Sequence, residues 1–221
     1  MRKTGALLTA LAALAATSGA AHAGSLRASS GDPTFHGTVS TIGPKIRSRM
    51  VSWRPGCPVA LRSLRLLQLD HWGFDRRVHR GRLVVHRDEA RKVLRAMRAV
   101  FVARFPIRRM WLVDAYGASD DRSMSANNTS AFNCRYVAGT SRWSEHAYGR
   151  AIDINPVQNP YVRGSHVSPS EGRPYANRAR RGRGMIRVGD AVVRAFAAVG
   201  WAWGGLWSNA KDYQHFSASG R

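Results

Sequence analysis

The chain has 221 residues, 35 of them Lys or Arg and 13 Asp or Glu, for a formal net charge of +22. That balance calls for a polyanionic partner, whether nucleic acid, acidic lipid or the anionic polymers of a cell wall. No stretch beyond the N-terminus is apolar for long enough to span a bilayer, which excludes an integral membrane protein built on helices.

Arg2 and Lys3 precede an Ala/Leu-rich run, Gly5 to Ala16, and Ala21-His22-Ala23 is a small-x-small cleavage signal. The pattern predicts a secretory signal peptide over 1–23 and a mature chain from Gly24. Export places the protein outside the cell or in the cell wall and argues against nucleic acid as its intended partner. Removing the leader leaves 198 residues and a net charge of +20, enough for one domain with a core. Residues 24–52 are rich in Ser, Gly, Thr and Pro and read as a flexible arm or linker. The folded domain is expected over 53–221. Cys57 and Cys134 are an even pair in an oxidising compartment, so a disulfide is expected. It would close a loop of 76 intervening residues, worth roughly 4 kcal/mol in the chain-entropy picture.

Leu61 to Leu67 suggest a brief helical turn, and Leu67 to Trp72 then reads as extended. A turn around 73–81 leads into the apolar Leu83-Val84-Val85-His86, so a hairpin is expected. Asp88 is the expected N-cap of a helix carrying Ala90, Val93, Leu94, Met97 and Phe101, stopped by Pro106. Met110 to Val113 reads as a second buried strand, and Ser119 to Asn133 as a polar loop. Within that loop Asp120-Asp121 reads as countering nearby Arg, and Asn127 and Asn128 fall in N-x-T and N-x-S patterns. The Arg-rich excursion 163–187 has seven Arg and one Glu; it reads as a solvated surface loop over the site, with attraction to anionic wall polymer as its functional reading. Asp190 is the expected cap of a last helix with Val192, Val193, Phe196 and Val199 on its apolar face, ended by Gly200. Strands and helices interspersed with hairpin signals predict an α+β fold around a small antiparallel sheet flanked by helices.

The chemistry concentrates in S-E-H-A-Y-G-R-A-I-D-I-N-P, Ser144 to Pro156, and in K-D-Y-Q-H-F, Lys211 to Phe216. A loop can present His146 and a short buried strand Asp153, with His215 as third ligand. Three His/carboxylate ligands and one open position are what a catalytic zinc takes. Zinc acidifies its water and polarises a carbonyl, and a nearby carboxylate must still move the proton to the leaving amine. Asp212, three residues before His215, can share one centre with it only if Lys211 to Gln214 is a turn. Asp153, in the apolar run 151–154, needs a metal or a cationic network to be buried at all. His71, His79, His86 and His166 read as ordinary surface or core histidines. Trp201, Trp203 and Trp207 read as core and pocket wall.

Ser144, His146, Gly149, Ala151 and Asp153 meet S-x-H-x-x-G-x-A-x-D in full. With the late D-x-x-H-F the chain resembles the VanY-type zinc D-alanyl-D-alanine carboxypeptidases and the related L-alanyl-D-glutamate endolysin peptidases. The resemblance implies a Hedgehog/DD-peptidase-like fold and a peptidoglycan peptide substrate. It also implies one zinc on His146, Asp153 and His215, with Asp212 as general base and acid. Many relatives carry Glu at the place of Asp212. The family's oxyanion-stabilising Arg has two candidates, Arg122 and Arg135. Arg135 is preferred because it adjoins Cys134. Ser144 is expected to contact substrate or orient His146. An L-alanyl-D-glutamate endopeptidase, or a non-catalytic peptidoglycan- or polyanion-binding module on the same fold, are the alternatives.

Overall fold

Two nine-residue strands, each feeding a core on both of its faces, set the layout of the protein. The structure, a computed structural model, describes residues 33–221, which form one compact unit. The expected signal peptide 1–23, its cleavage site and the start of the expected arm lie outside the described residues. β2 (Leu64–Trp72) and β3 (Val78–His86) pair antiparallel as the expected hairpin, each longer than its apolar signal. Leu67, Leu69, Leu83 and Val85 face one core, while Leu64, Leu66 and Val84 face a second. Burial on both faces explains why 83–85 is apolar without alternation.

From Pro33 onward, the segment expected to be a flexible arm is part of the fold. β1 (Gly37–Thr41) adds a third strand to the hairpin, with Gly37 opposite Leu69 and Thr41 opposite Arg65. α1 (Pro44–Arg47) follows, and Ile42, Ile46 and Met50 pack into the second core. An edge strand of Thr, Val and Ser that is largely solvent-facing carries no hydrophobic period, so its sequence resembles a linker. The described part of the expected arm, residues 33–52, thus packs with the residues expected as the folded domain.

α2 (Ala90–Val102) buries Ala90, Val93, Ala96, Met97, Val100 and Phe101 against the first face of this sheet. Its N-cap is Glu89 and not Asp88; Asp88 stays exposed beside His86 and Arg87. The Glu89 carboxylate instead accepts from the Trp201 indole N–H at 2.9 Å and pairs with Lys92. Met110 to Val113 forms no strand. The Met110 carbonyl accepts one bond from the Arg82 N–H, and Val113–Tyr116 winds into a 3-10 turn. The expected polar loop contains α3 (Asp120–Ser125), capped by Ser119 Oγ, and then dips into the interior. Asn127 and Asn128 are both buried there. The Asn127 amide donates to Gln158, and that of Asn128 to Ser123 and the Trp111 carbonyl, so neither offers its amide to a glycan.

The second half builds two more three-stranded antiparallel sheets, so the single expected sheet is replaced by three small ones among the described residues. In one, β4 (Ala151–Asp153) and β7 (Ala202–Trp203) flank β9 (His215–Ser217). In the other, β5 (Tyr161–Arg163) lies between β6 (His166–Ser168) and β8 (Lys211–Asp212). α4 (Arg173–Ala176) follows β6, and α5 (Ala191–Ala197), with Asp190 at its N-cap, packs on α2. The excursion 163–187 is therefore tied to the fold through β5. Arg178, half-buried, is its anchor: its guanidinium donates to the Gln158, Tyr175 and Ile186 carbonyls and to Asn159, and stacks 4.3 Å from the Tyr213 ring. Burial pushes its pKa down to about 10.

Cys57 and Cys134 are joined as expected, with Cα atoms 5.9 Å apart, at the rim of the second core. The loop they close holds the whole β2–β3–α2 unit. Replacing both by Ser should lower the unfolding free energy by about 4 kcal/mol, read from denaturant melts of the two forms. A change below about 1 kcal/mol would show that the loop is already ordered in the unfolded chain.

Candidate metal centre

Antiparallel register brings the first two side chains together. Asp153 on β4 stands directly opposite His215 on β9, and directly opposed residues share a face with Cβ atoms about 5 Å apart. The other edge of β4 is held by Ser130, whose N–H and carbonyl both bond to the Asp153 backbone. His146 arrives on a 3-10 turn, Glu145–Tyr148, that follows the apolar-to-polar switch at Ser144. Ser144 Oγ accepts from the His146 N–H at 3.3 Å and so caps that turn. Gly149 ends it at φ +67, in the left-handed region, with its backbone so near β3 that a Cβ would lie 2.6 Å from the His86 nitrogen.

The three side chains meet in the interior. His146 Nε2 lies 3.1 Å from Asp153 Oδ2, His215 Nδ1 lies 3.1 Å from Asp153 Oδ1, and the two nitrogens are 3.3 Å apart. All three residues are buried. Each imidazole is fixed from behind by a backbone carbonyl, His146 Nδ1 at 2.6 Å from Ala131 and His215 Nε2 at 2.8 Å from Arg221. A carbonyl can only accept, so those outer nitrogens carry the protons. In the neutral rings the inner nitrogens then present lone pairs toward each other and toward a carboxylate. Only a cation satisfies such a set. Ligands about 2.0–2.1 Å from a tetrahedral zinc stand roughly 3.3 Å apart, and the three separations fit that spacing.

With no cation bound, protons must do that work. Burial alone would raise the Asp153 pKa, but the charge and hydrogen bonds of His146 and His215 outweigh it and hold the carboxyl far below the usual range. Burial alone would lower that of His215, yet bonding to Asp153 and the charges of Asp153 and Asp212 lift it to about 9.

Asp212 comes from a different sheet. β8 pairs with β5, Asp212 opposite Tyr161, and a bend at Tyr213-Gln214 then turns the chain into β9. The expected turn over Lys211 to Gln214 is only half that long: Lys211–Asp212 is a strand, and the bend at 213–214 alone separates Asp212 from His215. Asp212 Oδ1 is buried without a hydrogen-bond partner among the described residues. Burial, helped by the nearby Asp153 charge, raises its pKa to about 7, against the opposing pull of His215, His146 and Arg135.

Of the two arginines, Arg135 is the one among the charges acting on Asp212. Its guanidinium is held by Asp120 at 2.7 Å, and its Nε is buried and unpartnered among the described residues. Arg122 is exposed on α3. The Asp120–Arg135 pair also bears out Asp120 as a counter-charge to Arg. His71, His79, His86 and His166 stay outside the cluster, and among the described residues His146, Asp153 and His215 are the one set of three or more His, Cys, Asp or Glu side chains close enough to share a metal. Trp201 and Trp203 are buried, and the Trp207 ring stands 5.5 Å from His215. The residues that sequence reading missed act through their backbone. The Ala131 and Arg221 carbonyls have no side-chain signature, and only the need of each ligand imidazole for an outer acceptor points to them.

A buried two-His-one-Asp cluster beside a carboxyl poised to exchange a proton is suited to metal-assisted hydrolysis. Residues 138–218, the stretch carrying all three of those side chains and Asp212, match the model of the family described as D-alanyl-D-alanine carboxypeptidase. That match, together with the His-Asp-His cluster inside it, supports the chain as a metallopeptidase of the carboxypeptidase type. No curated protein and no solved structure matches the chain.

The proton inventory gives a test. His215 has a folded pKa of about 9 against an ordinary 6.5, so its contribution to metal-free stability is complete below 6.5 and lost as pH rises through 9. Asp212, raised from 3.8 to about 7, works in the same direction at lower pH. Metal-free protein should therefore melt at a lower temperature at pH 9 than at pH 5.5. Zinc, which competes with those protons, should raise the melting temperature more at pH 9 than at pH 5.5. Equal zinc-induced shifts at both pH values would contradict the assignment.

Proposed function

We propose that the protein is an exported zinc peptidase that hydrolyses peptidoglycan stem peptides, acting as a D-alanyl-D-alanine carboxypeptidase. The observation that carries this reading is the buried triangle of His146 Nε2, His215 Nδ1 and the Asp153 carboxylate, with sides of 3.1 to 3.3 Å, inside the matched segment. His146, Asp153 and His215 would hold one zinc per chain, and zinc supplies there a Lewis acid for the scissile carbonyl and an acidified water.

The remaining work falls to the chain's own groups. Asp212, with an unpartnered Oδ1 and a pKa near neutrality, accepts the proton of the attacking water. As the C–N bond breaks and the new C–O bond is complete, the same carboxyl returns that proton to the leaving amine. Arg135 donates to the carbonyl oxygen as it gains negative charge, its fork held in aim by Asp120. Ser144 is a positioning residue, fixing the turn that carries His146. Export is supported by the leader-like N-terminus and by the Cys57–Cys134 disulfide. No helix among the described residues is long and apolar enough to cross a membrane.

Zinc-loaded protein should remove a single D-Ala from a defined pentapeptide, read by mass spectrometry. Asp212→Asn should keep one zinc and lose about 10²–10⁴-fold in kcat, whereas His146→Ala and His215→Ala should lose the zinc as well. A bound dication favours ionised Asp212, so the acidic limb of the rate profile should fall below pH 7 and vanish in Asp212→Asn. Cleavage nearer the glycan would reassign the protein to the endopeptidases. Unchanged cleavage by Asp212→Asn would remove Asp212 as the base.

A further inference from the structure

The β1–β2–β3 sheet is covered on its second face for only part of its length. Leu64, Leu66 and Val84 lie under the second core, but the next cross-strand pairs, Gln68–Arg82 and Asp70–Arg80, run out from beneath it. A groove of about 720 Å³ opens there, between α1 with its following turn and the segment 110–115. Leu66, Ile46 and Leu112 give it an apolar floor.

Its rim is cationic. Lys45, Arg49 and Arg82 are exposed and form no ion pair among the described residues, while Arg80 is partly neutralised by Asp70 at 3.0 Å. The acid on the lining, Asp114, has both oxygens engaged by Ser52, from its N–H at 2.7 Å and its hydroxyl at 3.1 Å. Its single negative charge is outnumbered by Lys45, Arg49 and Arg82, so the lining keeps a net positive charge. Trp111 stands at the mouth, 51% exposed, with the Tyr116 ring stacked 6.4 Å behind it and the Arg109 guanidinium 5.8 Å from its centre. A large apolar ring held at the surface among cations costs stability in water and gains only when something covers it.

We propose that this groove binds a chain of phosphodiester-linked polyol units, one of the anionic polymers of a cell wall. Guanidinium forks match phosphate oxygens in pairs, and the Lys45 ammonium adds a point charge. The apolar floor and the Trp111 face take the uncharged carbon stretches between phosphates. A single-stranded nucleic acid would call for successive aromatic platforms, one per base, and the groove offers one exposed ring. Every lining residue falls between Lys45 and Ala115, outside the matched segment 138–218, so this surface is separate from the peptidase match. The choice of a wall polymer rests on the reading of the chain as an exported wall peptidase; the groove and its charges do not. Such a site would keep a freely diffusing enzyme on the polymer mesh that surrounds its substrate.

The test is calorimetric titration of a soluble glycerol-phosphate oligomer into the zinc-loaded full chain. Binding should weaken as salt is raised. Arg49→Ala with Arg82→Ala should weaken it about tenfold or more, and Trp111→Ala severalfold. Both variants should retain wild-type zinc content and wild-type cleavage of a soluble pentapeptide. Arg173→Ala with Arg181→Ala, exposed cations of the excursion 163–187, should leave the affinity within about twofold if the groove and not general charge is the site. Wild-type affinity in the Arg49/Arg82 or the Trp111 variant would overturn the proposal, as would tighter binding of a single-stranded oligonucleotide of equal charge. His146→Ala, which bears on the peptidase reading, should leave oligomer binding unchanged, so either reading can fail without the other.

Discussion

Asp153 and His215 face each other across two antiparallel strands in a place that water hardly reaches, and His146 closes the triangle from a third direction. The carbonyls of Ala131 and Arg221 hold the outer nitrogen of each ring, which leaves two lone pairs and a carboxylate directed at one point. Burying that much electron density without a compensating positive charge would cost more than a small domain can supply. Much of the surrounding structure follows from that requirement. β4 is clamped on both edges, by β9 and by Ser130, so that Asp153 cannot swing away. The 3-10 turn is capped at one end by Ser144 and ended at the other by a glycine in the left-handed region.

Asp212 is kept apart from this triangle by belonging to another sheet, and the separation matters chemically. A carboxylate on the same strand as His215 would compete to be a ligand. On β8, beyond the bend at Tyr213-Gln214, it sits near the cluster with one oxygen unpartnered, and burial tunes it toward neutrality. β5, just before the Arg-rich excursion, supplies the pairing strand through Tyr161 and Val162, and Arg178 from within the excursion packs its guanidinium on the Tyr213 ring. A run that reads as solvated charge therefore contains one arginine doing a buried structural job.

What was legible in the sequence was local. Ser144, His146, Gly149, Ala151 and Asp153 lie within ten residues, so the motif announces His146 and Asp153, although the strand that carries Asp153 is held by the distant β9 and Ser130. The β2–β3 hairpin and α2 announce themselves in the same way through apolar runs and helical spacing. Non-local pairing was not legible. β1 is a polar edge strand whose register is set entirely by β2, so it reads as linker. Met110 to Val113 has a strand's composition but finds no partner strand and spends its backbone on single bonds. Asp88 has the right chemistry for a cap, yet the helix begins one residue later and uses Glu89 for a tryptophan instead. That the sheet is three sheets depends on which short strands meet, a matter of tertiary packing and not of period.

The two halves of the chain thus carry separate features, a His-Asp-His cluster able to hold a metal in the matched C-terminal segment and a cationic groove in the half before it. X-ray absorption at the zinc edge bears most directly on the first. Protein loaded with one zinc per chain should show two imidazole nitrogens and a carboxylate oxygen at about 2.0–2.1 Å, with one further light ligand and no sulfur. A spectrum with fewer than two imidazoles, or a purified protein that takes up no stoichiometric zinc, would contradict the His146–Asp153–His215 centre.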